Sequence, residues 1–122
     1  MSDTAKVCQV DEDDRLVFDA DEAEDLGLDD DGFLSLEKSW QGLQTMITSV
    51  TAVDLFAQES LDASEVVSLA KVLKPLTWKN AVETCEAPED EELDDMKPSY
   101  VAFRTLVLTA AEEGHGLRCE FH

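Results

Sequence analysis

The acidic residues of this chain come in runs, and the runs dictate where a core can form. Asp11-Glu12-Asp13-Asp14, Asp21-Glu22-Ala23-Glu24-Asp25, Asp29-Asp30-Asp31 and the stretch Glu86–Asp95 belong in water. A carboxylate buried without a partner is too costly to hold in a core. Any core must therefore be assembled from the apolar pieces between the runs. The first 37 residues carry 14 acids against two bases, Lys6 and Arg15. Extended pieces are expected near Lys6–Val10 and Arg15–Asp19. Repulsion among so many like charges is expected to leave part of segment 1–34 mobile.

From Ser35 the apolar spacing changes. Leu36, Trp40, Leu43, Ile47 and Val50 fall at intervals of 4, 3, 4 and 3. That spacing predicts a helix with Ser35 as its N-cap. Gly42 lies inside it at a cost of about 1 kcal/mol relative to alanine, which points to close packing against another backbone. Thr51–Ser60 reads equally as a short strand or a connector. Asp62 followed three residues later by Glu65 is a capping-box signature. It predicts a helix carrying Val66, Leu69, Ala70, Val72 and Leu73, ended by Pro75. Thr77 opens a shorter helix, with Trp78, Ala81, Val82 and Cys85 on one face. Glu86–Asp95, with seven acids in ten residues, reads as a loop. Pro98 suits the first turn of a last helix bearing Tyr100, Phe103, Val107 and Ala110. Gly114 or Gly116 can end that helix in the left-handed conformation. Leu117, Cys119 and Phe121 then alternate with polar residues, as in a strand with one buried face. The expected fold is α+β: a helix-rich single domain over 1–122, with a small sheet that includes a C-terminal strand. Trp40 and Trp78 are expected in its core. Full burial of Trp40 would make Trp40→Ala cost about 3–5 kcal/mol.

Charge limits function. With 29 acids and 9 bases among 122 residues the formal net charge is −20. Direct nucleic-acid binding needs lysine and arginine against phosphate, and anionic membranes attract polybasic segments, so neither suits this chain. The N-terminus has no secretory pattern and no apolar run approaches a membrane span, so a cytoplasmic protein is expected. Cys8, Cys85 and Cys119 lack metal-ligand spacing and read as isolated reduced thiols.

Asp29-Asp30-Asp31-Gly32-Phe33-Leu34 resembles the middle of a calcium loop. With Gly32 as position 6, however, Gly27 occupies the first ligand position and Lys38 replaces the bidentate glutamate. It reads better as an acidic turn. His115 and His122 are the only histidines available to a nucleophile pair, and Cys119 on the last strand reads as core. No catalytic set, metal site or cofactor motif is expected.

The segment Leu36-Glu37-Lys38-Ser39-Trp40-Gln41-Gly42-Leu43-Gln44-Thr45-Met46-Ile47-Thr48 resembles the tryptophan-bearing helix of the YfbM-like family, bacterial proteins of unknown function. Asp62–Leu73 is similar to that family's next helix, and Tyr100–Cys119 to its last helix and strand. The resemblance spans roughly Asp29 to Phe121. It implies an α+β fold and a bacterial or phage origin, and carries no catalytic residue with it.

A net charge of −20 is far beyond the magnitude of roughly 2–8 that solubility asks of a small domain. The expected function is therefore non-enzymatic: binding to a basic surface on a protein partner, as an immunity-type inhibitor binds a toxin. The partner-binding residues expected are Asp29, Asp30, Asp31, Glu89, Asp90, Glu91 and Glu92. A phage-type DNA mimic acting on a nuclease or CRISPR complex is the first alternative, recognisable by carboxylates in rows. A small enzyme is the second, recognisable by a pocket joining His115, a carboxylate and Cys119.

Overall fold

The sheet is built on β1 (Ala5–Val10), the strand expected near Lys6–Val10. It is flanked by β2 (Leu34–Glu37) and β4 (Gly116–Phe121), and the two-residue β3 (Ser60–Leu61) pairs with the far side of β4. The order is β2-β1-β4-β3 and every pairing is antiparallel. The computed structural model describes residues 4–13, 15–17, 19–29, 32–37, 40–84 and 90–121 and, of these, every side chain except those of 37, 84 and 90–95.

Alternation gives the sheet two buried faces. Ala5, Val7, Leu34, Leu36, Leu117 and Cys119 join the main core under the helices. Cys8, Val10 and Phe33 form a smaller cluster on the other side. The Lys6 ammonium sits 4.1 Å from the centre of the Phe33 ring, a cation–π contact that helps close that cluster.

Six helices complete the α+β domain among the described residues: α1 (Ala20–Leu26), α2 (Trp40–Thr48), α3 (Leu55–Gln58), α4 (Ala63–Leu73), α5 (Trp78–Thr84) and α6 (Asp90–Glu113). α6 is the spine. Met96, Tyr100, Phe103, Val107 and Ala110 form a continuous buried stripe along it. Opposite lie Val66, Leu69, Ala70 and Leu73 of α4, also buried. Arg104, in the middle of α6, ties that helix to the C-terminal end of α4. Its Nε donates to the Leu73 carbonyl at 2.8 Å and an Nη to that of Lys74 at 2.5 Å, satisfying acceptors that a helix C-terminus leaves open. The Tyr100 hydroxyl donates to the Leu76 carbonyl just beyond.

Locally encoded features appear where expected. The Asp62 carboxylate accepts from the Glu65 N–H at 2.8 Å, and the Glu65 carboxylate accepts from the Asp62 N–H at 3.3 Å, completing the capping box. Gly114 ends α6 at φ +77°.

Several expectations are corrected. Ser35 does not cap a helix: it is the exposed middle of β2, paired with Lys6, with Leu34 and Leu36 buried on either side. Leu36 fits both the helical and the strand period, and the unpaired side of β1 decided in favour of the strand. The described residues of Arg15–Asp19 form no strand and contribute a single bridge between Val10 and Leu16. Thr51–Ser60 is not a plain connector and enters a strand only at Ser60, because Asp54 caps the short α3, accepting from the N–H groups of Phe56 and Ala57. Residues Asp90–Asp95 are not loop but the start of α6, where acidic residues are favoured by the helix dipole. Pro98 consequently lies inside the helix, which burial of Met96 carries through the break in hydrogen bonding. α1 was not expected at all. Gly42 makes room for a side chain rather than a backbone: a Cβ there would stand 2.5 Å from the Met96 sulfur.

Trp40 is only half-buried, set against Phe56 at 5.8 Å and Phe121 at 4.9 Å between ring centres. Trp40→Ala is accordingly expected to cost about 1–2 kcal/mol, less than full burial would give. Urea unfolding followed by circular dichroism measures it, and a loss above about 4 kcal/mol would contradict the partial burial.

Candidate functional site

α1 sets the geometry of the most acidic described region. Asp19 caps it, its carboxylate accepting from the N–H of Asp21 at 2.9 Å and of Glu22 at 3.3 Å. Gly27 closes it at φ +72°. Ala23 and Leu26, three residues apart, point into the core, so Asp21, Glu24 and Asp25 are exposed. Glu22 is half-buried and shares a hydrogen bond with Glu113, the last residue of α6. Its carboxyl is pushed up from 4.5 to about 7. The causes in order are that hydrogen bond, burial, and the negative charges of Glu113, Asp19 and Asp25. Glu113 also lies 3.4 Å from His115 Nδ1, which is 2.9 Å from the side-chain oxygen of the buried Gln9.

The raised Glu22 value has a consequence for stability. The folded state holds this proton more tightly than the unfolded chain does. The contribution is thus present in full below about pH 4.5 and lost as pH rises through about 7. Glu22→Gln is expected to flatten the fall in stability between these limits. Carbon-13 NMR of the glutamate carboxyls should show one group titrating near 7, and its absence would refute the pairing.

The residues expected to bind a partner are only partly placed. Asp29 is exposed, and its carboxylate accepts from the Phe33 N–H at 2.9 Å, closing the turn that Gly32 enters at φ +86°. Asp30, Asp31 and Glu89 lie outside the described residues. Asp90, Glu91 and Glu92 form the first turn of α6, far along the helix from Glu113. The acid pair that the fold does bring together, Glu22 and Glu113, was missed. The run Asp21–Asp25 was visible; its meeting with the end of α6 was not. Among the described residues, no group of three His, Cys, Asp or Glu is arranged to hold a metal.

Cys119 and His115 are not brought together. They are four residues apart on and beside one strand, roughly 13 Å along its direction. His115 faces Gln9 and Glu113, whereas Cys119 borders a groove at the β3–β4 edge. Burial first, then the charges of Glu59, Cys8 and Glu120, push the Cys119 thiol up to about 12. At neutral pH it is a thiol, the unreactive form.

That groove is open, with a volume of about 790 Å³, and is lined by Trp40, Gln58, Glu59, Ser60, Arg118, Cys119, Glu120 and Phe121. It lies where β3 ends and β4 continues. Among the described residues no helix is long and apolar enough to cross a membrane. No family model, curated protein or solved structure matches the chain.

Proposed function

We propose that this protein is a non-enzymatic acidic binder that occupies a basic surface on a protein partner, acting as an immunity-type inhibitor of a toxin. The observation that carries the reading is the convergence of α1 with Glu113. Acids far apart in sequence are held so close that one carboxyl is driven to about 7. Strongly shifted groups cluster at functional sites, and a cationic partner would relieve this repulsion. The groups that would take part are Glu22, Asp21, Glu24, Asp25 and Glu113, together with Asp29, Asp30, Asp31, Glu89, Asp90, Glu91 and Glu92. A nucleic-acid mimic fits less well. Asp11, Asp19, Asp54 and Asp62 spend their carboxylates on N–H groups of their own turns and caps, and so are not left for a phosphate-like row. The resemblance of the Trp40 segment to a bacterial family adds a bacterial or phage origin to this reading.

The test is to identify the partner by co-purification at low salt and titrate it against charge-reversed variants. Reversal of Glu22, Glu24 and Asp25, and separately of Asp29–Asp31 and Glu89–Glu92, should leave the circular dichroism spectrum intact. Each should weaken binding at least about tenfold, chiefly through a slower association rate. Raising ionic strength should weaken wild-type binding and slightly raise the melting temperature, because screening with a Debye length of about 8 Å relieves internal repulsion too. Unchanged affinity in all reversed variants would reduce the charge to a solubilising coat.

A further inference from the structure

β4 is longer than the strand that covers it. β3 pairs only Ser60 with Arg118 and Leu61 with Leu117. One more rung follows, the Cys119 N–H donating to the Glu59 carbonyl at 2.8 Å. There the covering chain turns away, because Glu59 is the left-handed cap of α3 at φ +65°. In an antiparallel strand, alternate residues send both N–H and C=O to the same side. Phe121 therefore presents its N–H and C=O on the side of Cys119, away from β1. Among the described residues nothing receives them. An uncovered edge of this kind is a template for another strand.

The groove at this edge has the features that select such a strand. On one side stand the rings of Trp40 and Phe121, packed edge to face. On the other, by the alternation of β4, stand Glu120 and Arg118, and Glu59 gives the lining a second acid against one base. Side chains of an added strand alternate between these two sides. We propose that the edge of β4 beyond β3 takes up an extended, basic segment of a protein partner as an added antiparallel strand. The segment's apolar side chains pack on Trp40 and Phe121, and its lysines or arginines meet Glu59 and Glu120. This rests on the reading of the protein as a binder of basic partners and says how one part of such a partner is held. Charge selects this occupant over a second copy of the chain, which would bring another −20 to the same edge.

Two short synthetic peptides test it, one alternating lysine with valine and one alternating glutamate with valine, titrated into nitrogen-15-labelled protein. The lysine peptide should shift the amides of Cys119, Glu120 and Phe121 and slow exchange of the Phe121 N–H; the glutamate peptide should do neither. Phe121→Ala keeps the N–H and should weaken binding severalfold. Phe121→Pro removes an N–H that β1 does not use and should weaken it at least about tenfold further. Glu120→Lys, which leaves the edge backbone unchanged, should also weaken it severalfold. Shifts confined to α1 and Glu113 would overturn the edge proposal and leave the wider reading standing. Binding of neither peptide anywhere would overturn both. A dimer in light scattering that Phe121→Pro abolishes would make a second copy the occupant and overturn the proposal, as would equal binding by the alanine and proline variants.

Discussion

Phe103→Ala is expected to lower the free energy of unfolding by about 3–5 kcal/mol, a large share of the roughly 5–15 kcal/mol typical of a domain. Phe103 is fully buried at the centre of the α6 stripe. Its ring stacks on Phe56, with centres 5.9 Å apart and planes inclined by 30°. Phe56 in turn meets Trp40, and Trp40 meets Phe121. One chain of rings thus runs from the spine helix to the edge of the sheet. Removing its inner member leaves a cavity between α6 and α3 that a helix fixed at both ends by other contacts cannot close. Urea unfolding monitored by circular dichroism gives the value, and a loss below about 1 kcal/mol would show that the ring is not packed as described.

Gly116→Ala is expected to cost about 3 kcal/mol, at the upper end of overpacking penalties. A Cβ at this position would stand 2.5 Å from the Leu61 carbonyl oxygen and 3.3 Å from a methyl of Val10. The oxygen is backbone and cannot swing aside as a side chain would. It belongs to the residue just before Asp62, so moving it disturbs the cap of α4 as well. The damage should be local before it is global. Hydrogen exchange at the Cys119 amide, bonded to Glu59, should accelerate more than exchange in the β1–β4 ladder. Equal acceleration in both would place the strain elsewhere.

What could be read from sequence was what neighbours in sequence decide. Asp62 and Glu65 form their box within one turn, Gly114 ends its own helix, and Leu117, Cys119 and Phe121 alternate without help. Leu36 shows where such reading stops. Its spacing to Trp40 is helical and its spacing to Leu34 is that of a strand, and only the empty side of β1 chooses between them. The start of α6 shows another limit. Seven acids and a proline look like loop, yet Met96 continues the buried stripe back past Pro98. For the site the limit is sharper. Asp21–Asp25 announced charge, but the shift of Glu22 belongs to a pair whose second member arrives at the far end of the chain. The groove at the β4 edge had no sequence signal, because it exists only where Glu59 turns away.

The sheet order has a consequence for how the molecule comes into being. β1 and β4, the first and last strands among the described residues, are neighbours at its centre, so β1 has no partner on that side until Gly116–Phe121 has left the ribosome. Helices such as α4 are locally encoded and can form meanwhile, but the sheet that buries their apolar faces must wait. Pairing over so long a separation is slow, and waiting intermediates expose surface that invites aggregation. In a nascent chain the early acid runs sit directly beside those waiting apolar pieces. Their mutual repulsion, and repulsion between neighbouring chains, would keep the unfinished protein apart from its copies until the last strand closes the sheet.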